Sequence, residues 1–466
     1  MRAERVVIVG AGPAGMRAAL VLAGAGLRPV VLDEAPASGG QIYRRQPPGF
    51  TRGHDALYGF EAGRARALHD AFDAADGRID HRPGTLVWNI EGRRLQVLHE
   101  GAPQTLEFDR LLLATGAMDR VIPFPGWTLP GVYTLGGAQI ALKHQACAIG
   151  RRVVFFGASP LLPLVAAQYA AAGAEVAAVL DTTPMRAKLA AAPGLLTGGK
   201  TGWKGVVYLA RLAARRIPYR HGITPVEVLG EESVEGFAYA DARGRRHEIA
   251  CDAIAFGYGL KSEWQLADLA GCGFAFDAGN HQWRVVADDA GRSTVPGVYL
   301  AGDGTRIGGA DLAEIAGERA ARAILADLSD IDPGDDLGQG AALAACARRI
   351  AGQAGLRRAV ERAFPFPAHL ARAIPDDCIL CRCEAVTAGE FRAAIARLGP
   401  HDVNRAKAFS RVGMGRCQGR VCGPAAAEIL AVVRGVGVEE AGRLRSQPPV
   451  KPVPIAAFAD AAEGAA

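Results

Sequence analysis

The sequence predicts an α/β chain of two dinucleotide-binding, Rossmann-like domains followed by a small helical domain that carries cysteines. Three observations support this. An apolar strand runs into a glycine-rich turn over residues 6–15, a second strand and turn begin near residue 151, and four cysteines stand close together near the C-terminus. At 466 residues, two to four domains are expected. Hydrophobic residues make up 50% and charged residues 22%, a globular mixture that excludes a disordered chain. A net charge of +5, from 53 basic and 48 acidic residues, is too mild to point to nucleic acid.

Residues 5–10 read as a buried strand that passes directly into Gly10-Ala-Gly-Pro-Ala-Gly15. A helix over 16–25, closed by Gly26, and a strand over 28–33 ending in Asp33 should follow. This is G-x-G-x-x-G in the strand–turn–helix–strand–acid context that gives it meaning. Gly10 permits the turn, Gly12 lets backbone meet a pyrophosphate, and Gly15 lets helix and strand pack closely; Pro13 and Ala14 complete the loop. Asp33 is placed to accept a hydrogen bond from a ribose, with Glu34 as the near alternative. Two more strands end in small-residue signals, one in Ala114-Thr115-Gly116 and one in Gly302-Asp303-Gly304.

Residues 151–156 form another strand, leading to Gly157-Ala-Ser-Pro-Leu-Leu162, a helix to about 172 and a strand ending at Asp181. Here Ser159 and Leu162 replace the second and third glycines of the motif. A Cβ at the first obstructs a pyrophosphate, and a leucine at the second pushes the helix off the strand. The fold is expected to persist while nicotinamide binding is in doubt; NAD(P), ATP or no ligand all stay open for this domain. Cys147, Cys251 and Cys272 stand singly, without C-x-x-C, which argues against disulfide reductase chemistry.

Cys381 and Cys383 form C-x-C, and Cys417 and Cys422 form C-x4-C. Four thiolates on two tight loops are the ligand set of a [2Fe-2S] cluster. Zinc is the rival reading, although C-x-C is less usual for it; a disulfide pair is disfavoured without signs of an oxidising compartment. Cys378 reads as a spare thiol. Gly413, Gly415, Gly419 and Gly423 let backbone N–H groups approach the sulfurs, Lys407, Arg411, Arg416 and Arg420 bring positive charge, and Pro424 opens a helix behind Cys422.

The expected domains are 1–118 with 280–328, then 119–279, a linker and helix over 329–375, a cluster domain over 376–436 and an extended tail over 437–466. Thr387 and Glu390 form a capping box. Residues 6–26 imitate a signal peptide, but Gly10, Gly12, Pro13, Gly15 and Arg17 interrupt them, and no long apolar run follows elsewhere. A cytoplasmic location is the expectation, with peripheral association at the inner membrane through partners.

The segments at Gly10–Gly15, Ala114–Gly116 and Gly302–Asp303 resemble the FAD fingerprints of the two-dinucleotide-domain flavoproteins related to glutathione reductase. That resemblance implies that Asp303 lies on the ribitol side of FAD and that the helix from about Ala310 points its N-terminus at the isoalloxazine. Gly39-Gly40-Gln41 fits an FAD-proximal loop of the same family. With the cysteine segment and the Lys-Pro-Val-Pro tail, the whole chain resembles the FAD- and iron–sulfur-containing α subunits of bacterial heteromeric amino-acid dehydrogenases. These include octopine and nopaline oxidases, D-hydroxyproline and L-proline dehydrogenases and hydrogen cyanide synthase. The resemblance implies a partner β subunit like D-amino-acid oxidase that oxidises the substrate, a small third subunit in some complexes, and room for FMN between subunits. No residue of this chain is expected to be catalytic. The alternative reading is a self-contained NAD(P)H-dependent FAD and iron–sulfur reductase; a redox-sensing or iron-handling protein is the non-enzymatic one.

Overall fold

A computed structural model describes residues 4–196, 199–328 and 339–458. The first domain is built on a parallel sheet with strand order Val298–Leu300, Arg110–Leu113, Val6–Val9, Val30–Leu32, Asp80–Arg82. Val6–Val9 is buried throughout, as a central parallel strand covered on both faces must be. The helix Pro13–Gly24 packs against the helix Ala310–Leu328 so closely that a Cβ on Gly317 would lie 2.0 Å from the carbonyl oxygen of Ala14. Three antiparallel strands, Thr85–Glu91, Arg94–His99 and Ala102–Glu107, extend this domain.

The second domain repeats the plan with parallel strands in the order Tyr219–His221, Glu175–Asp181, Arg152–Gly157, Ala253–Gly257, Val132–Thr134. The chain leaves and re-enters the first domain through an antiparallel pair, Ala117–Asp119 against Leu260–Ser262. Leu266, Ala267 and Cys272 pack with Val7, Val9 and Leu111, so the chain is back in the first domain's core well before residue 280.

The C-terminal module holds a short strand pair, Ile379–Cys381 and Val386–Thr387, and the helices Ala388–Leu398, Val403–Ser410 and Gly423–Arg434. The capping box at Thr387 and Glu390 is present. The sequence marks two of these helices; the third, Val403–Ser410, starts where Asp402 accepts the amide of Arg405. The module does not stand apart. Its Leu380, Phe391, Ile395 and Leu430 share one apolar core with Phe124, Phe156, Phe237 and Phe256 of the second domain, and the Trp127 indole donates to the Ile379 carbonyl at 2.6 Å.

The expected linker around 330–340 falls largely outside the described residues; the helices Gln339–Gly352 and Ala354–Ala363 follow it. The tail runs back over the first domain. Val450 is buried, its amide donates to the Trp88 carbonyl at 3.1 Å, and Lys451 pairs with Glu34. Of the tail expected over 437–466, the part beyond Phe458 lies outside the described residues.

Candidate functional site

The first glycine loop has the geometry its motif requires. Gly10 adopts φ +106°, and a Cβ on Gly15 would lie 1.8 Å from the Gly10 carbonyl oxygen. Nothing but the Gly40 Cα, at 3.7 Å, stands near a Cβ on Gly12. The Gly39-Gly40-Gln41 loop, far from Gly12 in sequence, is clasped onto the turn by the Gly39 amide, which donates to the Ala11 carbonyl at 2.8 Å. Together Gly12, Pro13, Ala14 and Gly40 leave a strip of bare backbone, the cradle that a pyrophosphate fits.

Asp33 does more than wait for a ribose. Its carboxylate accepts the amides of Ala11 at 2.5 Å and Ala35 at 2.7 Å, fixing the loop. Burial raises its pKa against those two hydrogen bonds. Glu34 is turned toward Lys451 of the tail, and Gln41 accepts from Arg44 at 3.1 Å.

Asp303 is brought to the other end of this cradle by the strand Val298–Leu300. It accepts the amides of Gly308 at 2.7 Å and Gly309 at 3.1 Å, which orders the turn before Ala310 and its helix. Burial raises its pKa, opposed by those amides and by the charge of Arg357. Ala114, Thr115 and Gly116 lie alongside; a Cβ on Gly304 would meet the Thr115 hydroxyl at 2.9 Å. Thr305 Oγ1 and Arg357 Nη2 are buried here without partners, the sort of polar atoms a bound flavin would engage. Sequence reasoning missed Arg357, because it belongs to the linker helix and no motif marks it.

The second glycine loop is built differently. Ser159 is 1% exposed and its hydroxyl accepts the Leu161 amide. Leu162 is fully buried between helix and sheet, with Val153, Phe155 and Val165, so it acts as core. Asp181, at the ribose-binding position of such a fold, is fully buried. It is held by Lys188 at 2.9 Å, the Tyr219 hydroxyl at 3.2 Å and the Thr183 amide at 2.8 Å. Over Lys188 lies the Phe364 ring, 3.1 Å from Nζ, and the linker helix Ala354–Ala363 covers the helix Met185–Leu196.

The four cysteines converge. Cys422 stands within hydrogen-bonding reach of Cys381 and Cys417, and Cys417 of Cys383. Among the described residues no group of three or more His, Cys, Asp or Glu is arranged to hold a single ion. The hydrogen bond from Cys422 brings the Cys381 thiol down to about 6 and the Cys417 thiol down to about 5, with further support from the amides of Gly413 and Gly419 respectively. Cys381 and Cys422 are buried, Cys417 is half-buried and Cys383 is exposed. Cys422 caps the helix Gly423–Arg434, and a Cβ on Gly415 would collide with Cys383 at 2.2 Å. Lys407 is buried beside Cys422, whereas Arg411 is committed to Glu384. Cys378 is buried, its thiol pushed up to about 12 by that burial and by Asp377, as a spare core thiol should be.

A segment that no motif announced joins the two sites. The Ser262 hydroxyl donates to the Asp303 carbonyl at 2.6 Å, the Thr115 hydroxyl donates to the Glu263 carbonyl, and the Glu263 amide donates to the Gly116 carbonyl. On its other side the Glu263 carboxylate pairs with Arg420, between Cys417 and Cys422, at 2.7 Å, and Gln265 donates to the Gln418 carbonyl at 3.0 Å. Residues 262–265 therefore touch both the flavin fingerprints and the cysteine loop.

Two dinucleotide folds plus a four-cysteine module define a two-domain flavoprotein bearing an iron–sulfur unit. The chain belongs to the pyridine nucleotide-disulphide oxidoreductase family, whose model matches residues 4–320, and it carries a BFD-like [2Fe-2S] binding domain over residues 379–432. Its cofactors are FAD and a [2Fe-2S] cluster. It is 36% identical to an opine oxidase subunit from Agrobacterium tumefaciens (strain Ach5), over 97% of this chain and 91% of that one. It is 34% identical to hydrogen cyanide synthase subunit HcnB of Pseudomonas aeruginosa, over 97% and 98%. The L-proline dehydrogenase structure from P. horikoshii superposes with a TM-score of 0.69 at 20% identity, covering 98% of this chain and 79% of that one, which shows the shared fold. The two sequence relatives are subunits of larger enzymes. Among the described residues no helix is long and apolar enough to cross a membrane.

The tail's anchor titrates in a testable way. Asp268 pairs with both Arg443 nitrogens at 2.8 and 2.6 Å and accepts the Ser446 amide at 2.5 Å. Burial alone would raise its carboxyl, but these bonds hold it below its ordinary 3.8. A depressed carboxyl contributes fully above its unfolded value and loses that contribution as pH falls through the folded one. Residues 443–450 should therefore stay protected from hydrogen exchange at neutral pH and lose protection below about pH 4. In Asp268→Asn the protection should already be reduced at pH 7.

Proposed function

We propose that this chain is the electron-relaying subunit of a heteromeric dehydrogenase acting on the CH–NH group of an amino acid or opine. A partner flavoprotein resembling D-amino-acid oxidase carries out the substrate oxidation. Bound to the two sites, FAD supplies a two-electron store and the [2Fe-2S] cluster a one-electron carrier. In this reading Gly10, Gly12, Pro13, Ala14, Gly15, Asp33, Gly40, Ala114, Thr115, Gly116, Gly302, Asp303 and Ala310 hold the FAD. Cys381, Cys383, Cys417 and Cys422 ligate the cluster.

The observation that carries the reading is the Ser262–Gln265 segment, in contact with Thr115, Gly116 and Asp303 on one side and with Arg420 and Gln418 on the other. Such a bridge holds two redox sites at a fixed separation with little reorganisation.

The sealed Asp181 speaks against a self-contained NAD(P)H reductase. When the purified chain is mixed anaerobically with NADH or NADPH, its flavin absorbance should stay oxidised. With the co-expressed partner and a secondary-amine donor, both the flavin and the cluster should bleach. Rapid bleaching by a nicotinamide, or a chain that never retains a second flavoprotein, would sink the proposal.

A further inference from the structure

Between Asp181 and Glu227 the sequence holds no acidic residue, yet Arg186, Arg211, Arg215, Arg216 and Arg220 fall within it. This stretch supplies two helices, Met185–Leu196 and Gly199–Ala214. They meet where a Cβ on Gly202 would lie 2.0 Å from the Leu195 carbonyl oxygen. The carboxylates that reach the pair, Asp181 and Glu61, are taken by Lys188 and Lys204. The five arginines are exposed, and none has a carboxylate partner among the described residues.

The helix Gly199–Ala214 has two apolar sides. One is ordinary core: Leu212 is 1% exposed and packs with Leu162 and Val165. The other carries Trp203, Val206, Leu209, Ala210 and Ala213, three or four positions apart and all exposed. Trp203 is 65% exposed and, on the neighbouring helix, Leu189 is 66% and Met185 47%. A helix covered on one side and wet on the other normally turns its charges outward. Here no charged side chain interrupts the outward stripe. Arg211 borders it, lying over the Phe60 and Tyr208 rings at 5.4 and 5.9 Å, and Arg215 and Arg216 follow its C-terminal end.

The order of these groups decides what covers the face. A protein partner meets a surface through interspersed hydrogen bonds, about one per 100–200 Å². The stripe offers no side-chain donor or acceptor apart from the Trp203 indole. A bilayer surface asks for an apolar stripe at the acyl boundary, an indole at headgroup level and unpaired cations at the edge for anionic headgroups. All three are present.

We propose that the helices Met185–Leu196 and Gly199–Ala214 seat the protein on the surface of an anionic membrane. Trp203, Val206 and Leu209 enter the boundary between headgroups and acyl chains, while Arg211, Arg215 and Arg216 meet lipid phosphates. The helix lies in the plane of the surface and does not cross it. The contact belongs to this chain and stands apart from the relay reading and from any partner subunit.

The test floats the full chain, with its cofactors, on vesicles of equal parts phosphatidylglycerol and phosphatidylcholine, and on phosphatidylcholine alone. The chain should rise with the anionic vesicles, much less with the neutral ones, and should be released by high salt. Trp203→Glu and Leu209→Glu should each weaken vesicle binding about ten-fold or more, the loss of one buried apolar side chain. Arg215→Gln combined with Arg216→Gln should weaken it about ten-fold and flatten the salt dependence. Flavin and iron contents should match the parent in every variant, which reports correct folding. Absence from both kinds of vesicle, equal binding to both, or variants that float like the parent would overturn the proposal. So would a Trp203 that the co-expressed partner alone, without lipid, shields from acrylamide quenching: the occupant of the face is then a protein.

Discussion

Cys422→Ser should yield a protein that keeps its flavin and loses its iron. Cys422 is 1% exposed, reaches both Cys381 and Cys417, and caps the helix Gly423–Arg434. A serine there removes a thiolate that no solvent ligand can replace, so iron and acid-labile sulfide should fall about ten-fold or more. Flavin content should hold near that of the parent, because the glycine cradle lies in another sheet. Transfer to one-electron acceptors should fall with the iron. Exposed Cys383 supplies the contrast: Cys383→Ser should retain more cluster, since water and the serine oxygen can compensate at the surface. Cys378→Ser should leave the iron unchanged. Iron and sulfide analysis beside the flavin spectrum checks all three, and an iron-replete Cys422→Ser would remove this residue from the ligand set.

Gly15→Ala and Gly12→Ala should fail in different ways. The new methyl at Gly15 would lie 1.8 Å from the Gly10 carbonyl oxygen, and the contact is with backbone. The helix must move off its strand, at a cost of about 3 kcal/mol, and the flavin should be lost with a clear fall in Tm. At Gly12 the nearest atom is 3.7 Å away, so the fold can absorb the methyl. Its effect should fall on the ligand: near-parental Tm with sharply reduced flavin occupancy. Equal losses of stability in the two variants would contradict the assignment of packing to one glycine and ligand approach to the other.

What the sequence makes legible is local. Each glycine loop sits within a few residues of the strand and helix it serves, and the Cys-x-Cys and Cys-x4-Cys loops declare themselves by spacing. What stays hidden depends on meetings across the chain. Nothing about Glu263 marks it as the link between Thr115 and Arg420, because its two partners lie 148 and 157 positions away. Asp33 reads as free to meet a ribose, yet its carboxylate also ties down Ala11 and Ala35. Leu162, expected to push a helix off its strand, packs between them in one apolar cluster with Val153, Phe155 and Val165. Helix Val403–Ser410 has a standard cap in Asp402, but eight residues are too few for an apolar period to stand out.

The shared core of the cysteine module and the second dinucleotide fold bears on how this architecture can drift. The second dinucleotide fold has a structural duty apart from any ligand of its own. Here Phe124, Phe156 and Phe237 line the wall against which Leu380 and Phe391 are pressed. Loss of that wall would release the iron-bearing end of the molecule, so the metal centre depends on its neighbour whatever that neighbour binds.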